Sequence, residues 1–386
     1  MKKYLYIFYK NILLLPYYLF YSLPKQLYLK AFHFYEIIKV SKKSQRNSLF
    51  SPKDRLGQLE IFLALIRWYL KYDEVCYNFY KYGMDKRYNT SKRHYMGYKK
   101  FRKFRDGENF NPPVSEDYNY LCLVRDKFVF SQYMSTYSLP VVKDLAIFDQ
   151  ESLRWISTGK KYDIREFFND KSKHLEGFCK PFDAGQGRGT FLLKLKEGVI
   201  YVNDEIVSLT KFLNLIKGKY LLQERIIQHE VMSAIFPYSV NTMRLVTFYN
   251  SGDPLLVFGY LRTGTEKNIV DNFKAGGLAI SIHLETGKLF EYGYQNLNGK
   301  FRLIKNHPNT KFKFKDFEIP YFQEAINSVT KSHKCLYGIH SIGWDVAITP
   351  EGPIIIEAND EWDAAMFLNL NFKSKFLQQY ITGTNN

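Results

Sequence analysis

The sequence predicts an α+β protein in two parts: a basic helical region at the amino end, then a larger part whose sheets are mainly antiparallel. Three observations predict it. Apolar residues recur at helical spacing before residue 82, strand-like and helix-like runs interleave after Asp126, and glycine-marked loops separate apolar runs further on.

With 386 residues, 46% of them hydrophobic, the chain is long enough to bury a proper core, so disorder is not expected. The 31 Tyr and 32 Phe are spread along the chain and matched by Lys, and no function is read from them. Cys76, Cys122, Cys179 and Cys335 form no CxxC pair, which suits unpaired thiols in a reducing compartment; a cytoplasmic location is expected. The histidines form no HExxH or similar cluster, which leaves a zinc site without support.

Charge is unevenly placed. Residues 1–110 hold 23 Lys and Arg against 8 Asp and Glu, +15 of the formal +17. A basic, aromatic-rich helical segment suits an anionic membrane face or another polyanion, and equally a solvated basic face. Residues 4–23 are largely apolar but interrupted by Lys10, Asn11 and Pro16. They fit a peripheral or packed amphipathic helix better than a transmembrane anchor, and show no small-residue cleavage site.

Leu56, Leu59, Phe62, Leu63, Ile66 and Tyr69 lie on one helical face, with a start expected at Ser51-Pro52. The chain is polar and basic over 86–111, and Pro112-Pro113 marks a boundary between a helical region 1–111 and a catalytic domain 112–386. Beyond it, a helix is expected over 127–137 and strands over 139–147, 177–181, 191–195, 220–223, 244–249, 255–262, 343–349 and 354–358. Further helices are expected over 206–216 and 321–336.

The strongest chemical signal is the run 343–359, in which Pro350-Glu351-Gly352 reads as a tight turn between two apolar strands. Side chains alternate along strands, so Asp345, Glu357 and Asn359 can share one sheet face. Three hard oxygen donors that leave sites for phosphate and water suit Mg²⁺. The competing reading, ordinary surface hairpin residues, conflicts with the apolar runs Val346-Ala347-Ile348 and Ile354-Ile355-Ile356 around them.

Lys180 precedes a loop with Gly185, Gly187 and Gly189, which can close backbone N–H groups on phosphates or serve as a plain hairpin turn. It matches neither a P-loop nor a dinucleotide fingerprint. Leu221-Leu222-Gln223-Glu224-Arg225-Ile226 is an apolar strand ending in polar residues, suited to an adenine slot. Cys179 beside Lys180 reads as a buried structural thiol.

Taken in order, Asp126-Lys127, Lys180 with its loop, Gln223 to Ile226, and Asp345, Glu357 and Asn359 resemble the ATP-grasp superfamily. More narrowly, Val240-Asn241-Thr242-Met243-Arg244-Leu245-Val246-Thr247, Val270-Asp271-Asn272-Phe273-Lys274-Ala275-Gly276-Gly277 and Gly343-Trp344-Asp345-Val346-Ala347-Ile348-Thr349 resemble its sugar-transfer-associated, alpha-L-glutamate ligase-like members. That family often has His where Lys274 stands. The resemblance implies two α+β subdomains clasping ATP, a lid over about 160–225 and a metal-binding part over about 226–365. It implies that Lys127 and Lys180 touch phosphates, that Gln223, Glu224 and Ile226 hold adenine, that Glu230 reaches the ribose, and that Asp345, Glu357 and Asn359 hold one or two Mg²⁺, or Mn²⁺. Arg244 and Arg262 are expected to neutralise the transferring group.

The implied reaction is ATP-dependent ligation of a carboxylate to an amine or similar nucleophile, on a small-molecule or glycan substrate in cell-surface polysaccharide biosynthesis. The alternatives are a sugar or lipid kinase of the same fold and a non-enzymatic, basic, membrane-associated protein. The pI of 9.4 is accompanied by no nucleic-acid-binding motif, so a nucleic-acid partner is not expected.

Overall fold

The computed structural model describes residues 23–43, 48, 52–77, 79–80, 83–87, 99, 101–102, 105, 120–182, 188–250, 253–266, 276–297, 300–336 and 338–363. Most of the apolar run 4–23, the Pro112-Pro113 boundary, Gly185, Gly187 and the segment 270–275 with Lys274 lie outside them. The chain divides into two compact units, Met1–Arg102 with Ala365–Asn371 and Lys103–Ala364 with Phe372–Asn386.

In the first unit, helices α1 (Leu23–Lys42) and α2 (Gln58–Tyr72) share a core of Ile37, Val40, Ile61, Leu65, Trp68, Phe79 and Tyr80. The expected start at Ser51-Pro52 is corrected. Leu56 N–H donates to Asp85 O at 2.7 Å and Arg87 N–H to Asp54 O at 2.9 Å, pairing that holds the chain extended. The helix begins only at Gln58, where the Glu60 carboxylate accepts from Gly57 N–H at 2.6 Å. No helix among the described residues is long and apolar enough to cross a membrane.

The second unit carries two sheets, and every strand pair in them is antiparallel among the described residues. Helices α3 (Cys122–Arg125) and α4 (Lys127–Thr136) lead in. The first sheet then takes β1 (Asp144–Phe148), β2 (Ser152–Trp155), β3 (Lys161–Asp163), β4 (Leu175–Pro181), β5 (Phe191–Lys196), β6 (Val199–Val202), β7 (Glu205–Val207) and β8 (Tyr220–Gln223), in the order β3-β2-β1-β8-β4-β5-β6-β7. Helices α5 (Ile164–Asn169) and α6 (Leu209–Leu215) bury Phe168 and Phe212 against its Phe148, Phe191 and Tyr220. Strand alternation places Cys179 in this core and Lys180 on the opposite face.

After α7 (Glu230–Ser233), the second sheet takes β9 (Thr242–Asn250), β10 (Asp253–Thr263), β11 (Leu278–Ile282), β12 (Leu289–Leu297) and β13 (Lys300–Ile304), then β14 (Ser341–Thr349) and β15 (Gly352–Asn359). Its order is β13-β12-β11-β10-β9-β14-β15, with α8 (Phe322–Lys334) packed on one face over Leu245, Leu261, Trp344 and Ile355.

Two expected elements differ. The strand read over 139–147 is split: Ile355 N–H donates to Pro140 O at 2.7 Å and Val142 N–H to Ile355 O at 3.2 Å, so 140–142 is pinned to β15, and β1 begins only at Asp144. The helix read over 206–216 begins only at Leu209. Ile206 and Val207 pair with β6 in a hairpin turned by Asn203 and Asp204, both at positive φ, and Ser208 caps α6. Strands β2, β3, β6, β7 and β11 to β13 and helices α3, α5 and α7 were not foreseen from the sequence.

Candidate active site

The β14–β15 register sets Asp345 opposite Glu357, and β9 sets Arg244 opposite Asp345. Residues directly opposite in antiparallel strands share a face, so these side chains meet. Arg244 grips Asp345 through Nε at 2.5 Å and Nη2 at 3.1 Å, and Arg262, from β10, adds an Nη2 contact at 2.8 Å. Asn359 Nδ2 donates to Glu357 Oε1 at 3.2 Å and Gly343 O at 3.4 Å. Gly343 is required here: a Cβ at this position would lie 2.4 Å from Trp362 Cβ.

Burial pushes the Asp345 carboxyl up, but Arg244 and Arg262 override it and hold the group well below the usual carboxylate range. Glu357 is raised instead, by burial first and then by the Asp345 charge; Lys180 and Arg244 only partly offset this. A buried carboxyl and a half-buried one, the second raised by burial and then by the first, stand beside the Asn359 amide, a set whose oxygens could hold a divalent cation. Among the described residues no group of three His, Cys, Asp or Glu side chains is placed to do so, so the set depends on Asn359 as third donor.

Lys180, from β4, lies within electrostatic reach of this hairpin. Burial lowers its pKa, Lys127 lowers it further, and Glu357, Asp345 and Asp144 oppose both. Lys127 is the first residue of α4, whose N-cap Asp126 accepts from Phe128 N–H at 2.9 Å and Val129 N–H at 3.0 Å. One residue earlier, Arg125 holds Asp360 at 2.7 and 3.1 Å, tying the start of α4 to the end of β15 just past Asn359. Gly189, at φ +72°, lies in the loop after Lys180, as does Arg188.

Gln223 is buried at the end of β8, opposite Phe178 in register and on the same face as Lys180. Its Nε2 donates to Asp144 Oδ1 at 2.8 Å, while its Oε1 is enclosed without a partner. Glu224 is exposed, its N–H bonded to Lys143 O at 2.9 Å; Ile226 is half-buried and Glu230 exposed at the start of α7. Arg225 turns away to a surface pair with Glu176 at 2.9 Å. The four cations Lys127, Lys180, Arg244 and Arg262 thus stand among the carboxyls of Asp144, Asp345 and Glu357, a balance suited to a polyanion, and the orphan Gln223 oxygen suits a base that carries a donor.

Asp144 was missed by sequence reasoning. It sits at the centre of this arrangement, accepting from Ser131 Oγ, from Gln132 Nε2 at 3.1 Å and from Gln223. The signal available was an acid opening the apolar strand Asp144-Leu145-Ala146-Ile147-Phe148.

A profile described as "Sugar-transfer associated ATP-grasp" matches residues 107–374, well over half of the chain. Among solved structures the chain is similar to an N5-carboxyaminoimidazole ribonucleotide synthetase in complex with ADP, at 11% identity over 63% of this chain and 46% of that one, TM-score 0.37. It is similar as well to a biotin carboxylase–beta-gamma-ATP complex from Campylobacter jejuni, at 10% identity over 74% and 51%, TM-score 0.40. A D-alanine–D-alanine ligase from Bacillus anthracis is similar at 10% identity over 63% and 58%, TM-score 0.31. The chain spans about half the length of these solved structures. No curated protein matches it. By the extent of the profile match, and with the two-sheet architecture of its second unit, the chain belongs to the sugar-transfer-associated ATP-grasp family.

Proposed function

We propose that the protein is a Mg²⁺-dependent ligase that uses ATP to activate a carboxylate as an acylphosphate and joins it to an amine or similar nucleophile in cell-surface polysaccharide biosynthesis. The observation that carries this reading is the convergence of Lys127, Lys180, Arg244 and Arg262 on the Asp345–Glu357–Asn359 hairpin. The sugar-linked part rests on the family's description.

In this reading the substrate carboxylate attacks the γ-phosphorus and ADP leaves; the nucleophile then attacks the acyl carbon, losing a proton as phosphate departs. Two anions must meet, so the groups that neutralise them govern the rate. Lys180 and Lys127 place ammonium groups against phosphate oxygens, one from the first sheet and one from α4. Arg244 and Arg262 keep Asp345 ionised and oriented and supply positive potential beside it. A Mg²⁺ ion, or Mn²⁺ in its place, held by Asp345, Glu357 and Asn359, would draw negative charge off the phosphate oxygens. Glu224 and Ile226 line the base, Glu230 reaches the ribose, and a lid of about 160–225 carries Lys180 to the phosphates.

The test is ADP release with candidate acids and amino-sugar or amino-acid acceptors. Acceptor-dependent turnover to a dehydrated conjugate is expected, and Glu357→Ala should reduce it at least about a hundredfold, by loss of transition-state charge stabilisation. A stable phosphorylated acceptor would identify a kinase instead. Unchanged turnover in Glu357→Ala would remove the metal reading.

We further propose that the protein is cytoplasmic and that its helical region rests on an anionic membrane. What supports this is the +15 carried by residues 1–110 together with Leu27, Tyr28, Phe34 and Tyr35 on α1, each about half or more exposed. Cosedimentation with phosphatidylglycerol vesicles but not phosphatidylcholine vesicles is expected.

A further inference from the structure

We infer that Asp144 is a positioning residue that sets base selectivity, by fixing the amide of Gln223 so that its oxygen receives the 6-amino group of adenine. The inference rests on the ATP reading above. Asp144 Oδ2 accepts from Ser131 Oγ and from Gln132 Nε2 at 3.1 Å, and Oδ1 accepts from Gln223 Nε2 at 2.8 Å. Because Oδ1 accepts, the Gln223 amide is held with nitrogen toward Asp144 and oxygen away from it. That oxygen is enclosed and has no partner, on a side chain 3% exposed. A buried amide oxygen left unpaired is costly, and a ligand donor would relieve the cost.

Which ligand follows from place. Gln223 pairs in register with Phe178 and shares its face with Lys180, whose ammonium lies over the Phe178 ring at 6.0 Å and within electrostatic reach of Glu357 and Asp345. The phosphate-seeking lysine and the orphan oxygen therefore lie on one face, on β4 and its neighbour β8. A nucleotide with phosphates at Lys180 brings its base toward Gln223. Adenine presents a donor at its 6-position; a 6-keto purine presents an acceptor, which opposes Oε1 and is rejected. Asp144 also joins the elements that carry the site, since Ser131 and Gln132 belong to α4, which begins at Lys127.

The test is direct binding of MgATP and Mg-inosine triphosphate by calorimetry, since the two bases differ at the 6-position and the adjacent N1 proton. The wild-type protein should prefer ATP at least about tenfold. Gln223→Met, which keeps the length but removes the oxygen, should weaken ATP about tenfold and, with the opposing acceptor gone, tighten inosine triphosphate, so that the preference is lost. Asp144→Asn keeps an acceptor for Ser131 and Gln132 while turning a donor toward Gln223; the amide then rotates, and preference should move toward inosine triphosphate. A merely structural role would weaken both nucleotides alike. If Gln223→Met, folded as judged by thermal melting, keeps the wild-type ratio, the inference is wrong. If the wild-type protein binds neither nucleotide, it is the ATP reading that fails.

Discussion

Neighbouring residues on β14 face two different kinds of buried polarity. Trp344 points toward α8, where its Nε1 donates to Thr247 Oγ1 at 2.7 Å, Thr247 meets His333 Nδ1 at 2.7 Å, and His333 Nε2 meets Ile339 O at 2.8 Å. That chain is neutral and closed: Nε2 carries the imidazole proton to the carbonyl, Nδ1 accepts the Thr247 proton, and Thr247 accepts from the indole. Asp345 points the other way, into a charged set in which Glu357 is raised by burial and then by Asp345. The contrast separates scaffold from candidate site. A network with each donor matched rigidifies the sheet, whereas an unbalanced one is complete only with a ligand.

The largest effect expected from this comparison is on Asp345. Asp345→Ala leaves the buried Arg244 without its carboxylate and beside the half-buried Arg262, which should cost about 3 kcal/mol of stability as well as MgATP binding. Chemical unfolding and calorimetry on the same variant would check both losses. A stable variant that still binds MgATP would show that the charged set is not the site.

Thr247→Val should lose stability alone. It leaves the Trp344 indole N–H and His333 Nδ1 without their shared partner at a residue fully buried, at a cost of about 1–3 kcal/mol, while MgATP affinity stays as it was. An equal fall in MgATP affinity would mean that the neutral chain acts through β14 on Asp345, and the separation of scaffold from site would then fail.

The parts of this comparison differ in how far they can be read from sequence. The β14–β15 hairpin was legible because two apolar runs flank a Pro-Glu-Gly turn, and alternation puts Glu357 and Asn359 on one face; that Asp345 joins them depends on the β-bulge between Asp345 and Val346, which the sequence does not show. Lys180 was legible at a strand end before glycines. The β6–β7 hairpin was lost because its strands have four and three residues, and Ile206 and Val207 merged with the helical pattern that follows. Asp144 and the Thr247–His333 chain were illegible for another reason. Gln223 lies 79 residues from Asp144 and His333 lies 86 from Thr247, so their meaning exists only once β8 pairs with β1 and α8 docks on β9. Arg244 and Arg262 were noticed as cations for a phosphoryl group; that both close on Asp345 follows from strand register, which composition does not encode.

The pH dependence of stability sharpens the contrast most finely, because His333 reports on the neutral side alone. Burial lowers its pKa to about 4, with His340 adding to this and the hydrogen bond to Ile339 opposing it. The unfolded chain takes up the proton near its ordinary value of about 6.5. Between those values the unfolded state binds more protons than the folded one, so stability falls as pH falls through this window. From pH 7 to pH 5 the loss from this one group is about 2 kcal/mol. Urea midpoints of the wild-type protein and His333→Phe at the two pH values isolate it, since carboxylates common to both cancel in the difference. The variant should be less stable at pH 7 yet lose about 2 kcal/mol less on acidification. Parallel slopes would mean that the imidazole already carries its proton in the folded protein, and the closed neutral chain could not exist as drawn from Trp344 to Ile339.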